Sequence, residues 1–293
     1  MLIKKILISL SICILFLNTM TNLEIFELAN GELLYVGGSG EGNYSIIQNA
    51  INTSSDGDII FVYNGTYYEN IEVNRSISLI GENTESTIIN GKNSFKVIIL
   101  KAPSINITGF TIQDGQVSGI WIESSVNCNI YKNFVNNNSI GINIISSKNT
   151  IISNNTISNN SAFGINITSI KIPSQLSKYN TIFHNNFINN KNNVFDEGIS
   201  NNWSYENEGN YYDDYDGLDK NNDGLGDSSY IIPGGENKDN YPLMMPYNGK
   251  IRLKEFYVDD ESLYTMLIIG MIVAILFLLP IAYIWYRKTK HLK

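Results

Sequence analysis

A phrase that returns every 22 or 23 residues constrains this chain more than any other feature. Gly119-Ile120-Trp121-Ile122 recurs as Gly141-Ile142-Asn143-Ile144 and as Gly164-Ile165-Asn166-Ile167. A second phrase runs beside it, in which Asn133, Asn155 and Asn186 take matching places, and an earlier copy at 107–112 carries Phe110 there instead. Both phrases are β-branched and alternating, which is the period of a strand. Strands repeating at this interval, cut by Gly and Asn, are successive coils of a β-solenoid. The expected fold is therefore all-β, a parallel β-helix of coils of about 22 residues.

The side chains agree with that reading. Alternating Ile and Val would point inward and stack coil on coil, each contributing about 1.5–3 kcal/mol when buried. Asn tolerates left-handed backbone at the turns, and stacked Asn amides can pair along the axis. From Ala102 to Phe195 the only acids are Asp114 and Glu123. The matching of Asn155 with Asn186 stretches one coil to 31 residues, and the extra segment around Ile170 to Lys178, with Pro173, reads as an ejected loop. Ser45-Ile46-Ile47-Gln48 reads as a capping box opening a short helix, its apolar face made by Ile46, Ile47, Ala50 and Ile51. Such a helix would plug the open end of the solenoid.

Several stretches carry a family resemblance. They are Tyr44–Ala50, Gly57–Val62, Asn64–Tyr67, Glu69–Ile71 and Ser76–Gly81, and later Asn210–Tyr215, Gly224–Asp227, Tyr230–Pro233 and Asp239–Leu243. Together they resemble the NosD-like branch of pectin-lyase-like proteins, common among archaeal surface proteins, over most of residues 34–247. The resemblance implies a right-handed parallel β-helix, often exported, with an activity poorly defined across members.

The ends imply export and anchoring. Lys4 and Lys5 precede an apolar run from Ile6 to Leu17, long enough for a signal-peptide core, so residues 1–21 read as a signal with no clear cleavage site. Tyr264 to Tyr286 is an uncharged run of 23 residues, about 34 Å as a helix. Pro280 is tolerated in such a span, and Arg287, Lys288, Lys290 and Lys293 place the tail 287–293 in the cytoplasm. The expected order is a β-helix domain 34–250 with an acidic cap 196–247, a juxtamembrane linker 251–262 and a transmembrane helix 263–286. The linker reaches about 40 Å at full extension, which keeps the domain near the membrane.

Charge and cysteine narrow the partners. Without the six basic residues of the two ends, 14 remain against all 28 acids, so the domain is near −14. That argues against nucleic acid or anionic lipid as a ligand. Cys13 falls in the signal, which leaves Cys128 alone and no internal disulfide. Ten Asn-x-Ser/Thr sequons suit an exported surface, although an Asn-rich chain also generates them by chance.

Three candidate chemistries follow. In the first, Asp219, Asn221, Asp223, Leu225 and Asp227, with Gly224, match the opening of a calcium loop. Tyr230 stands where the bidentate Glu of an EF-hand would be, and Asp213, Asp214 or Asp216 would have to complete the shell. In the second, Ile120 and Ile122 point in, so Trp121 and Glu123 point out beside Asn143 and Asn166, a surface on which a glycan could stack. In the third, a lyase or hydrolase would need clustered carboxylates and a nearby cation. Asp114 and Glu123 could approach across one turn, but Arg75 and Arg252 lie outside the regular coils. The reading is thus of a non-catalytic glycan-binding or cell-envelope module with calcium in its cap, the enzyme being the alternative. Copper, which the NosD name suggests, needs clustered His, Cys or Met. His184, Cys128 and Met244-Met245 read instead as a turn residue, a buried apolar group and a hydrophobic cap.

Overall fold

The structure, a computed structural model, describes residues 31–170 and 175–248. The apolar runs at both ends, the linker, and Lys171 and Pro173 of the inserted loop lie outside these residues. Among the described residues no helix is long and apolar enough to cross a membrane.

The chain winds into coils with three faces. The first face is a seven-stranded sheet of β1 (Leu33–Val36), β2 (Ile59–Val62), β5 (Ser78–Gly81), β7 (Asn106–Thr108), β9 (Asn129–Tyr131), β12 (Ile151–Ser153) and β15 (Thr181–Phe183). The other two faces belong to one 11-stranded sheet. The second is built from β3 (Gly65–Tyr67), the first arms of β6 (Thr87–Leu100) and β8 (Thr111–Glu123), β10 (Phe134–Asn136), β13 (Thr156–Ser158), β16 (Asn186–Ile188) and β18 (Tyr211–Tyr212). The third is built from β4 (Ile71–Val73), the second arms of β6 and β8, β11 (Ile140–Ile145), β14 (Phe163–Thr168) and β17 (Val194–Asp196). Every pairing within these two sheets is parallel. β19 (Tyr230–Ile231) and β20 (Lys238–Asp239) form a separate antiparallel pair in the cap.

Parallel register places like on like. Ile71, Ile98, Ile120, Ile142, Ile165 and Val194 form one inward row of the third face. Each of these side chains is buried. Where the chain must turn from one face to the next, a residue adopts left-handed backbone. Between the second and third faces these are Asp114, Asn137, Asn159 and Asn189, with φ between 53° and 63°. Between the first and second they are Gly109, Lys132, Asn154 and His184. Asn and Gly suit such positions because they bear least of the left-handed steric cost.

After six of these eight corners stands an Asn whose amide turns inward, and these amides form ladders; Phe110 and Gly115 take that place in the earliest coil. Asn155 Nδ2 donates to Asn185 Oδ1 at 2.9 Å and to the Ile130 carbonyl at 2.9 Å, while its Oδ1 accepts from the Asn133 backbone N–H at 3.0 Å. Asn185 continues to Asn210 in the same way. A parallel ladder joins Asn138, Asn160 and Asn190. The register shows that the sequence matching was off by one in the last coil: Asn185, not Asn186, answers Asn155, and Asn186 pairs with Thr156. The inserted segment lengthens that coil to 30 residues.

The short helix is α1 (Ile47–Thr53), packed against β1, β2 and β4 with Ile47, Ala50 and Ile51 buried. It is not opened by a capping box. The N-cap is Ile46, itself 43% exposed, with no side-chain cap. The free N–H groups of Ile47 and Gln48 are instead taken by the two oxygens of Glu69, at 2.8 and 3.0 Å, from the neighbouring coil. Gln48 itself pairs with the Glu72 backbone at 2.7 and 3.2 Å, closing the exposed edge of β4. Glu69→Ala is accordingly expected to destabilise the domain by about 1–2 kcal/mol and Ser45→Ala by almost nothing, as read by thermal melting. The reverse order would restore the capping box.

Candidate functional site

The outer surface of the third face carries the residues picked out for glycan stacking. Ile99, Trp121, Asn143, Asn166 and Phe195 lie side by side on successive coils. Asn166 Nδ2 donates to Asn143 Oδ1 at 2.7 Å, so two of the predicted residues act as one amide unit. Trp121 Nε1 donates to Glu123 Oε2 at 3.0 Å. The ring is not the open platform the sequence suggested. Lys96 Nζ stands 3.3 Å above its centroid, a cation–π contact that covers one face. Burial, aided by Lys101, lowers the Lys96 pKa, and Glu123 opposes that shift. The site therefore sets an ammonium, a carboxylate and the Asn166 amide around one indole, while Asn143 is only 3% exposed and serves to hold Asn166.

Asp114 and Glu123 do not meet. Asp114 stands at the left-handed corner before the second arm of β8 and Glu123 at the far end of that arm. Asp114 accepts from Asn90 Nδ2 at 2.6 Å. The arrangement supplies no pair of carboxylates facing one bond.

The acidic cap holds the predicted calcium loop. Asp219 Oδ2 accepts the Gly224 N–H at 2.8 Å, Asp223 Oδ1 the Leu225 N–H at 2.8 Å, and Asp227 Oδ2 the Lys220 N–H at 2.9 Å. Asn221 Oδ1 accepts the Asp223 N–H at 3.2 Å. The loop is tied to the body through a bridge between Leu225 and Leu243. Asp213 and Asp214 are held elsewhere, by Asn189, Asn193 and Tyr230. Among the described residues no group of three or more His, Cys, Asp and Glu is placed to hold a metal ion. A hard cation here would rely on Asn221, the Leu225 carbonyl and water beside the acids.

Two buried carboxylates had no sequence signal. The inward row Val73, Leu100, Ile122, Ile144 and Ile167 ends on Asp196, which accepts from the Gly198 N–H, Asn201 Nδ2, Trp203 Nε1 and Asn237 Nδ2. The ladder through Asn210 ends on Asp239, which accepts from the Asn210 N–H at 2.7 Å, the Tyr241 N–H at 2.9 Å and Tyr212 Oη at 3.2 Å. Burial raises both pKa values, that of Asp239 to about 6.

Beside the cap, the corner turns of two coils and Asp213-Asp214 line an open groove of about 700 Å³. Its walls are Asn159, Asn160, Ser161, Asn189, Asn190, Lys191 and Asn193 with the two acids. Every residue lining it is polar or charged.

A family model described as Periplasmic copper-binding protein (NosD) matches residues 18–217. The chain belongs to the NosD family. A cell surface glycoprotein of Methanothermus fervidus is 37% identical over 157 residues, which is 42% of this chain and 26% of that one. The match thus spans about a quarter of that relative. Among solved structures, a pectin methylesterase from carrot is 15% identical, covering 55% of this chain and 64% of that one with a TM-score of 0.43. An alginate lyase from Paenibacillus is 13% identical, covering 57% and 74% with a TM-score of 0.39.

The NosD description raises copper, and the donors among the described residues do not fit it. Cys128 is 1% exposed, its Sγ lies 3.1 Å from Ser125 Oγ, and burial raises its pKa, which disfavours the thiolate in the absence of a metal. His184 is a corner residue whose Nε2 is bound to Glu208 at 2.7 Å and whose ring stacks on Tyr247 at 4.0 Å. Met244 and Met245 lie in the cap segment, Met245 68% exposed.

Proposed function

We propose that this NosD-family chain is an extracellular, membrane-anchored β-helix that binds glycan or cell-envelope polymer without cleaving it. The observation that carries the reading is the Lys96–Trp121–Glu123 group beside Asn166, whose amide is bonded to the buried Asn143. An indole edge flanked by an amide and opposite charges can meet both the apolar and the hydroxyl faces of a sugar. The relative named as a cell surface glycoprotein supports surface display. The apolar run 264–286 would supply the anchor and the run at 6–17 the export signal.

A glycan array probed with the detergent-solubilised chain, with and without calcium, tests the reading. Trp121→Ala is expected to lower retention on the best ligand at least tenfold while leaving the melting curve in place. Unchanged retention by that variant would move the site elsewhere or remove it.

Calcium belongs to the same proposal as a stiffener of the cap, binding weakly at roughly 0.1–1 mM as in extracellular modules. Twelve acids against Lys220 and Lys238 between Asp196 and Asp239 favour such a cation. A melting midpoint that rises in millimolar calcium, and does so less in Asp223→Ala, is expected. Identical curves in calcium and chelator would end it.

A further inference from the structure

The coil corners explain where Asn-x-Ser/Thr triplets arise and which of them a glycosyl transferase could reach. Three of the four corners between the second and third faces carry a left-handed residue, then an inward ladder amide, then an outward residue; at the fourth, Asp114, the glycine Gly115 takes the place of the amide. Where that grammar is written Asn-Asn-Ser it becomes a sequon, at Asn137-Asn138-Ser139 and again one coil on at Asn159-Asn160-Ser161. The middle residues are fixed inside: Asn138 and Asn160 are buried, and Asn138 Nδ2 donates to Asn160 Oδ1. With the middle residue turned in, the flanking Asn and Ser are carried to the outside of the same corner. Asn137 and Asn159 are exposed, at φ 54° and 53°. The Asn137 amide has no hydrogen bond among the described residues, and the Asn159 amide only a long one of 3.5 Å to Ser158 Oγ.

Other sequons differ in what their amides do. Asn106 Nδ2 donates to Ser78 Oγ at 3.0 Å within the first face, and Asn166 Nδ2 is bound to Asn143 at 2.7 Å within the third. An amide nitrogen must leave its plane and its hydrogen bond to act as a nucleophile, which these strand amides resist and the corner amides do not.

From this geometry we infer that Asn137 and Asn159 are sites of Asn-linked glycosylation on the folded chain, and that Asn106 and Asn166 are not. The donor class is a lipid-phosphate-linked oligosaccharide. The bond from sugar C1 to the phosphate oxygen breaks, the bond from C1 to Asn Nδ2 forms, the lipid phosphate leaves with the electron pair, and Nδ2 gives up one proton. The inference rests on the outward-facing placement proposed above. That placement is read separately, from protease accessibility on intact cells.

The test presents the folded full chain in detergent to an oligosaccharyl transferase chosen because it modifies all four of these sequons in the denatured chain. Glycopeptides are then mapped by mass spectrometry. Sugar on Asn137 and Asn159, with Asn106 and Asn166 bare, is the expected result. Bare corners, or sugar on either strand site, would overturn it. Ser139→Ala and Ser161→Ala should each abolish their own site and leave the melting midpoint unchanged, because the ladder amides between them are untouched.

Discussion

Asn155→Ala is expected to destabilise the β-helix by about 3–4 kcal/mol, whereas Asn154→Gly, one residue earlier, changes it by less than about 0.5 kcal/mol. The two side chains are neighbours in sequence and opposite in role. Asn155 is fully buried and holds the ladder from both sides. Its loss leaves the Asn133 backbone N–H without its acceptor, at about 1–3 kcal/mol, and strips an amide donor from both the Ile130 carbonyl and Asn185 Oδ1 in a dry interior. Asn154 sits at φ 58° and glycine adopts that backbone more readily. Urea denaturation of the two variants checks the contrast. Equal effects would mean the ladder amides do not hold the coils together.

The second large effect is expected at the end of that ladder. Asp239→Ala removes the acceptor of four donors in a dry site and should cost about 3–5 kcal/mol, beginning in the cap. Asp239 also makes stability depend on pH. Burial raises its folded pKa from the ordinary 3.8 to about 6, so the folded state holds the proton more tightly than the unfolded one. Its contribution is therefore full below about pH 4, declines as the pH rises towards 6, and is gone above that. Relative to Asp239→Asn, which cannot titrate, the native chain should lose about 3 kcal/mol between pH 4 and pH 7. A difference that grows in the opposite direction would show that the hydrogen bonds to the carboxylate outweigh its desolvation.

The coils were legible in the sequence because parallel register repeats one environment on every turn. Ile120, Ile142 and Ile165 stack on one another, so their spacing is the fold. The Asn turns and ladders were readable for the same reason. What escaped depended on contacts between coils that no single repeat contains. Glu69 caps a helix that begins 22 residues earlier, so local inspection of Ser45–Gln48 named the wrong cap. Lys96 covers Trp121 from the preceding coil, which turned an apparently free ring into a charged group. Asn185 and Asn186 offered two matches to Asn155, and only the pairing with Thr156 decides between them. In the cap the repeat stops, and with it the signal. Asp196 and Asp239 looked like members of an acidic, solvated stretch, yet both are buried at the ends of rows the coils had built.

The site was legible in part. Trp121, Glu123 and Asn166 do share one outer surface, as alternation required, while Asn143, in register with Trp121 and Asn166, is buried beneath its neighbours' cover. Asp114 does not join Glu123, since Asp114 marks the corner at which the third-face arm of β8 begins and Glu123 the end at which it leaves.

Incubating the full chain with neutral and uronate-rich polysaccharides, then assaying retention and new chain ends in the same samples, tests binding without cleavage most directly. Retention of a polymer whose length is unchanged, reduced at least tenfold by Trp121→Ala, is the predicted result. New reducing ends or unsaturated products made by the native chain would contradict it.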